Sequence, residues 1–426
     1  MRAKRLFIIW FFVLVCVTAA HLLSLDISPT INPDEAIIID YGRQLIEPAD
    51  WSVNWFISAN RPLFFLSYIG PLIQEAAFRV SGLSLFGPRI ASLFGALLAA
   101  SLLLLWFLAR KIPKLSALML ASLFLIDPLF TSSYRGGRVD CWVMVLCFSA
   151  CLFLRYAAFR LRYNKPYSYL VALAGCFGAL SVFIWPSAII ILPLILYELF
   201  VFSRQLRLFA KGRRMIFLNL FIFASGGLLT TAVLLFAVRA EIGPALNGLS
   251  VLTDSAVGYK SGLYYRLMRF LPTRENVFLV AESFRLTPVL PLAVICAIIF
   301  CRKKLFILTF VIAYAFVVYT GSYWLRTLYL FPYFFGLISA VYLPLKIRVP
   351  KIYRKGLRIG ILLFLFIWAF GITLIIRPGI ALSQKEERNP KLLLEVASSL
   401  IGPGPVKVLD ATYRSDFYYA GRLLNV

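Results

Sequence analysis

The chain contains a long succession of apolar runs, each of the length that one membrane-crossing helix requires. A helix needs about 20 apolar residues to cross a bilayer, and an open strand cannot cross one because its backbone groups would stay unpaired in lipid. The runs fall at residues 6–25, 88–109, 115–133, 139–156, 167–184, 186–202, 216–238, 286–301, 305–321, 327–345 and 357–376. The sequence therefore predicts an all-α polytopic membrane protein with about 11 transmembrane helices.

Composition agrees with a membrane protein and bears on the choice of partner. Only 15% of the residues are charged and the mean hydropathy is +0.85, whereas roughly a quarter of the residues are charged in a soluble domain. The net charge of +25 would also suit a protein that binds nucleic acid. The Lys and Arg residues, however, lie in short loops between apolar runs, so we expect contact with membrane lipid and no nucleic acid.

The charges of the loops predict an orientation. If the N-terminus is cytoplasmic, the inside segments carry Lys and Arg and no acidic residue; they are residues 2–5, 110–114, 155–165, 204–214, 302–304 and 346–358. Because short cytoplasmic loops are enriched in basic residues, the remaining loops face outward. Three outward segments are long enough to hold structure, namely 26–87, 239–285 and 377–426. We therefore expect a transmembrane domain at 1–376 and a short extracytoplasmic segment at 377–426.

Three points about the spans stay open or need an interpretation. Residues 167–202 hold two spans only if the chain turns at Trp185-Pro186, where proline removes a backbone donor. A single kinked helix would invert the orientation of every later span, and the loop charges favour two spans.

The first run also resembles a cleavable signal peptide, and its removal would still leave the next loop outside. The seven cysteines and His21 lie in or at the edges of runs, so we interpret them as packed side chains.

Two adjacent acids, Asp34 and Glu35, follow the first apolar run. Carboxylates beside a bilayer are costly in free energy unless something uses them. Asn32 suits an N-cap and Pro33 the first helical position, so a short helix is predicted to begin here with both acids in its first turn. The acids would also suit that position for structural reasons alone, because a helix start favours negative charge. Residues 64–80 of the same loop predict interfacial helices.

An ordered set of motifs resembles a known family. The motifs are Pro33-Asp34-Glu35-Ala36, Asp50-Trp51, Arg61-Pro62-Leu63, Phe86–Gly95 and Ser133–Asp140, with a weaker one at Trp324–Pro332. Within residues 30–160 they resemble the N-terminal half of the GT-C glycosyltransferases. The most similar branch contains the dolichyl-phosphate-mannose protein mannosyltransferases and the lipid A aminoarabinose transferases, and is glycosyltransferase family 39-like.

This resemblance implies a GT-C fold and an inverting glycosyltransferase of the bacterial cytoplasmic membrane, with its active site on the extracytoplasmic face. The donor would be a sugar on a polyprenyl phosphate such as undecaprenyl phosphate, and the acceptor a lipid, glycan or protein hydroxyl. We expect Asp34 to act as the base, because an outward carboxylate can take the proton of an acceptor hydroxyl. Glu35 would orient Asp34 or the acceptor, and Asp140 would converge on the same cavity. Asp34 and Asp140 would also be the ligands of a divalent cation (Mg, Mn or Zn) if one is required.

The donor phosphate needs cations, and the substrates need further contacts. Arg61, Arg138 and Arg326 are the candidates for the phosphate, because cations aimed at a leaving phosphate stabilise the transition state more than the ground state. The expected substrate contacts are Asn60 and Tyr41 in the first outward loop and Lys260, Tyr264 and Tyr265 in the second. Family members often have Lys in place of Arg61 and an acid in place of Asn60, so sugar and acceptor identity do not transfer.

Two readings from other classes remain open. One is a transporter or flippase of lipid-linked glycans, although such proteins usually show a repeated hydropathy pattern that this chain lacks. The other is a non-catalytic membrane subunit that binds lipid. Replacing Asp34 would separate an enzyme from both alternatives.

Overall fold

The computed structural model describes residues 3–25, 33–46, 67–82, 86–209, 213–239, 267–300, 304–320, 326–341 and 351–383, together with 242 and 399. All regular elements in these ranges are helical, which confirms the predicted all-α class for them. The α-helices are α1 (Ala3–Leu22), α2 (Pro33–Ile46), α3 (Ile69–Val80), α4 (Phe86–Ala109), α5 (Lys114–Ile126), α6 (Pro128–Arg135), α7 (Asp140–Arg162), α8 (Ser168–Ile184), α9 (Leu192–Phe209), α10 (Arg213–Ala237), α11 (Arg274–Ser283), α12 (Val289–Phe300), α13 (Lys304–Thr320), α14 (Phe331–Val341), α15 (Lys351–Phe370) and α16 (Arg377–Ser383).

Only part of the expected set of membrane spans is present at full length. In the described part of the chain, α1, α4, α7 and α10 are long and apolar enough to cross a membrane, and α5 with α6 would make a fifth span bent by 52°. Shorter apolar helices occupy 168–184, 289–298, 304–319, 328–339 and 363–376. The helices thus coincide with predicted runs, but the expected count of 11 is not confirmed.

The bend between α5 and α6 follows from an Asp-Pro pair and is held by the π-helical segment Gly371–Ile376, which follows α15. Asp127 Oδ1 accepts hydrogen bonds from the backbone N–H groups of Leu129 (2.8 Å) and Phe130 (3.3 Å), so Asp127 is the N-cap of α6. The break leaves carbonyl groups without helical partners, and the hydroxyl of Thr373 donates to one of them, Ile126 O, at 2.8 Å. The bend therefore aims α6 in a fixed direction.

The predicted turn at Trp185-Pro186 is present. Arg155 donates to Glu198 at 2.8 Å and Arg162 donates to Gln205 at 3.3 Å, so α7 and α9 lie side by side and run in the same direction. The intervening α8 must run the opposite way. The chain reverses at Trp185, whose backbone is extended, and through a 3₁₀ turn at Pro186–Ile190. Residues 167–202 therefore form two helices.

Close packing holds α2 and α3 against the helical core. A Cβ atom at Gly42 would lie 2.3 Å from the carbonyl oxygen of Pro71, so only glycine permits this approach of α2 to α3. The hydroxyl of Ser67 donates to Val182 O at 2.7 Å, and Tyr68 OH donates to Leu234 O at 3.1 Å. These contacts fix α2, which begins next to Asp34, relative to the core.

Candidate active site

Asp34, Arg138 and Asp140 meet in one chain of ion pairs. Arg138 donates through Nε to Asp140 Oδ2 at 2.7 Å and through Nη1 to Asp34 Oδ2. Asp34 lies in the first turn of α2 and Asp140 in the first turn of α7. The two acids that the sequence predicted to converge thus both contact Arg138, which the sequence predicted as a phosphate ligand.

A left-handed glycine brings the α6–α7 loop against α2. Helix α6 ends at Arg135, Gly136 caps it, and Gly137 has a φ of +61°, a conformation that side chains other than glycine rarely adopt. A Cβ atom at Gly137 would lie 2.8 Å from Glu35 Oε1. The glycine therefore allows the loop to pass directly over Glu35 and to aim Arg138 at Asp34.

The backbone of Arg138 is held by a buried polar chain from α3 and α4. Gln74 Nε2 donates to Ser92 Oγ at 2.7 Å, and Ser92 Oγ donates to Arg138 O at 2.8 Å. Gln74 and Ser92 are fully buried. Hydrogen bonds to both the backbone carbonyl and the side chain of Arg138 thus hold this residue in place.

Asp140 is fully buried and saturated with hydrogen-bond donors. Its Oδ2 accepts from Ser133 Oγ (2.7 Å) and Arg138 Nε (2.7 Å), and its Oδ1 accepts from Tyr329 OH. A carboxylate with three donors and no exposed surface is suited to holding a cation in place. Asp140 therefore contacts Ser133, Arg138 and Tyr329, and its expected catalytic role stays a prediction.

The arrangement does not fit a metal ion shared by Asp34 and Asp140. The guanidinium of Arg138 lies between the two carboxylates and supplies the positive charge there. A hard cation such as Mg²⁺ needs about six oxygen ligands, and the described ranges contain no cluster of three or more His, Cys, Asp or Glu side chains suited to one. The expected joint metal site is therefore replaced by an ion-pair network.

Arg138 stays charged and keeps one nitrogen for another partner. Burial alone would lower the pKa of Arg138, but the neighbouring charges of Asp140 and Asp34 outweigh it and raise the pKa above its usual value. The ring of Trp185 lies 6.0 Å from the guanidinium carbon. In the part of the chain that the structure describes, Nη2 of Arg138 has no hydrogen-bond partner. This nitrogen is available to an anion.

Glu35 is held in a buried ion pair. It is fully buried and accepts two hydrogen bonds from Arg89, from Nε at 2.8 Å and Nη2 at 2.9 Å, while Arg89 Nη1 donates to Leu25 O at 2.8 Å. Through Arg89, Glu35 joins α2 to α4 and to the turn after α1, and its expected role in orienting Asp34 or an acceptor stays a prediction. Sequence reasoning missed Arg89, although a lone charged residue in a predicted span indicates a buried partner or a functional site.

A second buried network ties α1 to α6. His21 Nε2 and Tyr134 OH are hydrogen-bonded at 2.8 Å, His21 Nδ1 and Arg135 Nη1 at 2.7 Å, and Arg135 Nη2 donates to Ser24 O at 2.9 Å. His21 is fully buried, as a packed side chain should be. No sequence pattern indicated its partners Tyr134 and Arg135, which lie more than 100 residues away along the chain.

The other expected site residues are only partly described. Tyr41 is 3% exposed and packs with Tyr68 and Phe183, and its expected contact with a substrate stays a prediction. Arg326 lies just before the 3₁₀ turn that carries Tyr329; burial lowers the pKa of Arg326, the charge of Arg269 lowers it further, and Tyr329 opposes both. Asn60, Arg61, Lys260, Tyr264 and Tyr265 lie outside the described residues.

No protein-family model and no curated protein matches the chain. Among solved structures, the oligosaccharyltransferase of Archaeoglobus fulgidus in its apo form is 15% identical with a TM-score of 0.48, and the match covers 97% of this chain and 64% of that one. The oligosaccharyltransferase AglB of Archaeoglobus fulgidus, in complex with an inhibitory peptide and a dolichol-phosphate, is 16% identical with a TM-score of 0.40, covering 97% and 56%. The chain spans less than two thirds of the length of these structures. Scores of this size do not establish a shared fold, so function is inferred from the chain's own residues.

Proposed function

We propose that the chain is a membrane glycosyltransferase that moves one sugar from a polyprenyl phosphate to a hydroxyl acceptor on the extracytoplasmic face, with inversion at the sugar. The observation that carries the proposal is the pairing of a half-exposed carboxylate, Asp34, with a buried guanidinium, Arg138, at the start of the first outward helix. The order of the sequence motifs from residue 30 to residue 160 supports the same assignment.

The exposure of the three acids supports Asp34 as the base. The side chain of Asp34 is 40% exposed, while those of Glu35 and Asp140 are fully buried. Of these acids, Asp34 is the one that an acceptor hydroxyl can approach. It takes the hydroxyl proton as the acceptor oxygen forms its bond to the anomeric carbon of the sugar. The ion pair with Arg138 orients Asp34 for this transfer.

In our proposal the leaving phosphate is stabilised by the terminal nitrogen of Arg138 that does not contact Asp34. As the bond between the anomeric carbon and the phosphate oxygen breaks, its electron pair moves to that oxygen, and negative charge grows on the phosphate. A guanidinium fixed in advance stabilises this growing charge more than the ground state. In our proposal Nη2 of Arg138 donates to the phosphate, and Arg61 and Arg326 add further positive charge. Asn60, Lys260, Tyr264 and Tyr265 are proposed to contact the donor and acceptor.

The lipid carrier suits a site at the membrane surface. A polyprenyl phosphate keeps its tail in the bilayer and its sugar in water, so the base and the phosphate ligand must lie at interface depth. Asp34 follows the apolar helix α1 and Asp140 opens the apolar helix α7. The loop charges place this end of both helices outside the cytoplasmic membrane.

The test is an Asp34→Asn variant of the full-length chain in lipid nanodiscs. Transfer of tritiated sugar from undecaprenyl-phosphate-linked sugars should fall by about 10²- to 10⁴-fold, as expected on removal of a general base, while binding of undecaprenyl phosphate should be retained. The matched control is Glu282→Gln, which makes the same change in an ion-paired carboxylate that is 41% exposed but lies on α11. Full transfer by Asp34→Asn would overturn the proposal, and lipid transport that survives the substitution would indicate a flippase.

A further inference from the structure

Tyr329 joins the candidate active site from the late part of the chain. It lies in the 3₁₀ turn Leu328–Leu330, is 1% exposed, and its hydroxyl donates to Asp140 Oδ1 across 189 residues of sequence. The other oxygen of Asp140 accepts from Ser133 and Arg138. No sequence pattern singled Tyr329 out.

The tyrosine determines which atoms of Arg138 the buried acid engages. Arginine and carboxylate groups often pair through two parallel hydrogen bonds that use both oxygens. Here Oδ1 of Asp140 is occupied by Tyr329 OH, and Arg138 reaches only Oδ2, through its inner nitrogen Nε. Both terminal nitrogens of the guanidinium therefore lie beyond the buried acid.

Those terminal nitrogens are the ones that the reacting groups require. Nη1 donates to Asp34, and Nη2 has no partner among the residues described. If Oδ1 of Asp140 were vacated, a two-bond pair with Asp140 would occupy one terminal nitrogen and leave a single one for Asp34 and the phosphate. The hydroxyl of Tyr329 competes for Oδ1 and so disfavours that arrangement of the same two side chains.

We propose that Tyr329 is a positioning residue that holds Asp140 to a one-oxygen contact with Arg138 and so keeps both terminal nitrogens for the base and the donor phosphate. The inference rests on the proposed function, in which Asp34 is the base and Arg138 binds the phosphate. It adds a residue from beyond position 300 to the ion-pair chain of Asp34, Arg138 and Asp140, which lie within the first 140 residues.

The experiment compares Tyr329→Phe with Tyr333→Phe. Tyr333 is fully buried on the adjoining helix α14, and its hydroxyl donates to Ile190 O at 2.8 Å and accepts from Leu194 N at 3.0 Å. Each substitution removes one buried hydroxyl, but only the first touches Asp140. We expect Tyr329→Phe to lower sugar transfer per folded molecule by about 10- to 100-fold, as for a lost hydrogen bond to a charged group, and to weaken binding of undecaprenyl phosphate. Tyr333→Phe should leave both unchanged.

A double-substitution cycle with Asp140→Asn separates positioning from general destabilisation. If Tyr329 acts through Asp140, Tyr329→Phe will have little further effect on undecaprenyl phosphate binding once Asp140 is Asn, and the two changes will not be additive. Additive effects, or equal effects of Tyr329→Phe and Tyr333→Phe, would overturn the inference. If the wild-type chain binds undecaprenyl phosphate without transferring sugar, the proposed function fails, while the binding cycle still tests Tyr329.

Discussion

Replacing Glu35 by Gln should destabilise the protein, because it breaks a buried ion pair from one side. The side chains of Glu35 and Arg89 are 0% and 1% exposed, so water screens neither. The amide of Gln would offer one acceptor and one donor to a guanidinium that only donates. One of the two contacts, at 2.8 and 2.9 Å, would be lost and the other weakened.

The expected magnitude follows from the charge that remains. Removing one partner of a buried pair leaves the other charge uncompensated, which costs about 3–5 kcal/mol in the free energy of unfolding. Replacing both charged residues by apolar residues of similar size often changes the free energy of unfolding little. We therefore expect Glu35→Gln to lose about 3–5 kcal/mol, and the double variant Glu35→Leu with Arg89→Met to recover most of that loss.

The measurement is SDS-induced unfolding of the full-length chain in mixed micelles, followed by circular dichroism. Glu282→Gln is the control, because its pair with Arg285 is exposed to 41% and 57% and exposed pairs contribute at most about 1 kcal/mol. Suppose instead that Glu35→Gln abolishes sugar transfer while the unfolding curve stays unchanged. Glu35 would then contact the acceptor, and its assignment as an anchor of α2 would be wrong.

Four further outcomes are expected. Gly137→Ala should lower the free energy of unfolding by about 1–2 kcal/mol, because residue 137 has a left-handed backbone, and it should also lower transfer activity. Gly136→Ala should lose less stability in the same unfolding assay, because its Cβ atom would lie 3.2 Å from its closest neighbour. Arg138→Lys should abolish most transfer, because an ammonium group cannot reach both acids and a phosphate with fixed geometry; full activity would contradict the site. EDTA should leave transfer unchanged, and loss of activity that Mg²⁺ restores would refute the assignment of Arg138 to the space between the acids. Arg326→Gln should raise the KM for the donor by about tenfold, as for a lost charged contact, with a smaller change in kcat.

The meeting of Asp34 with Arg138 could be expected from the sequence. Both flank predicted spans on the side that the loop charges place outside, and each lies in a motif of the family that the chain resembles. Ends of neighbouring spans on one side of a membrane lie close together, so orientation alone narrows the set of residues that can meet. The break at Asp127 was also readable, because an Asp-Pro pair is a strong helix-start signal even inside an apolar run.

The separate roles of Asp34 and Glu35 could not be read from the sequence. Adjacent residues on a helix point about 100° apart, so two acids in one turn cannot both face the same cavity. Which of them faces water depends on the partner that fills the other side, and that partner, Arg89, lies on a different helix. Tyr329 was unpredictable for a similar reason, since tyrosines are common wherever a span meets the interface.

The net charge of the Asp34–Arg138–Asp140 network affects how tightly the donor phosphate can bind. Asp34, Asp140 and Arg138 together carry one net negative charge, so this cluster alone would repel a phosphate. A donor phosphate can bind beside it only if further cations outweigh that charge. Arg326 is the described candidate, because it neighbours the Tyr329 turn and because burial and, after it, the like charge of Arg269 lower its pKa. A bound anion would relieve the repulsion between Arg326 and Arg269. The proposal therefore requires that phosphate binding weaken steeply with salt and with neutralisation of Arg326, while the Asp34–Arg138 pair sets the rate of transfer.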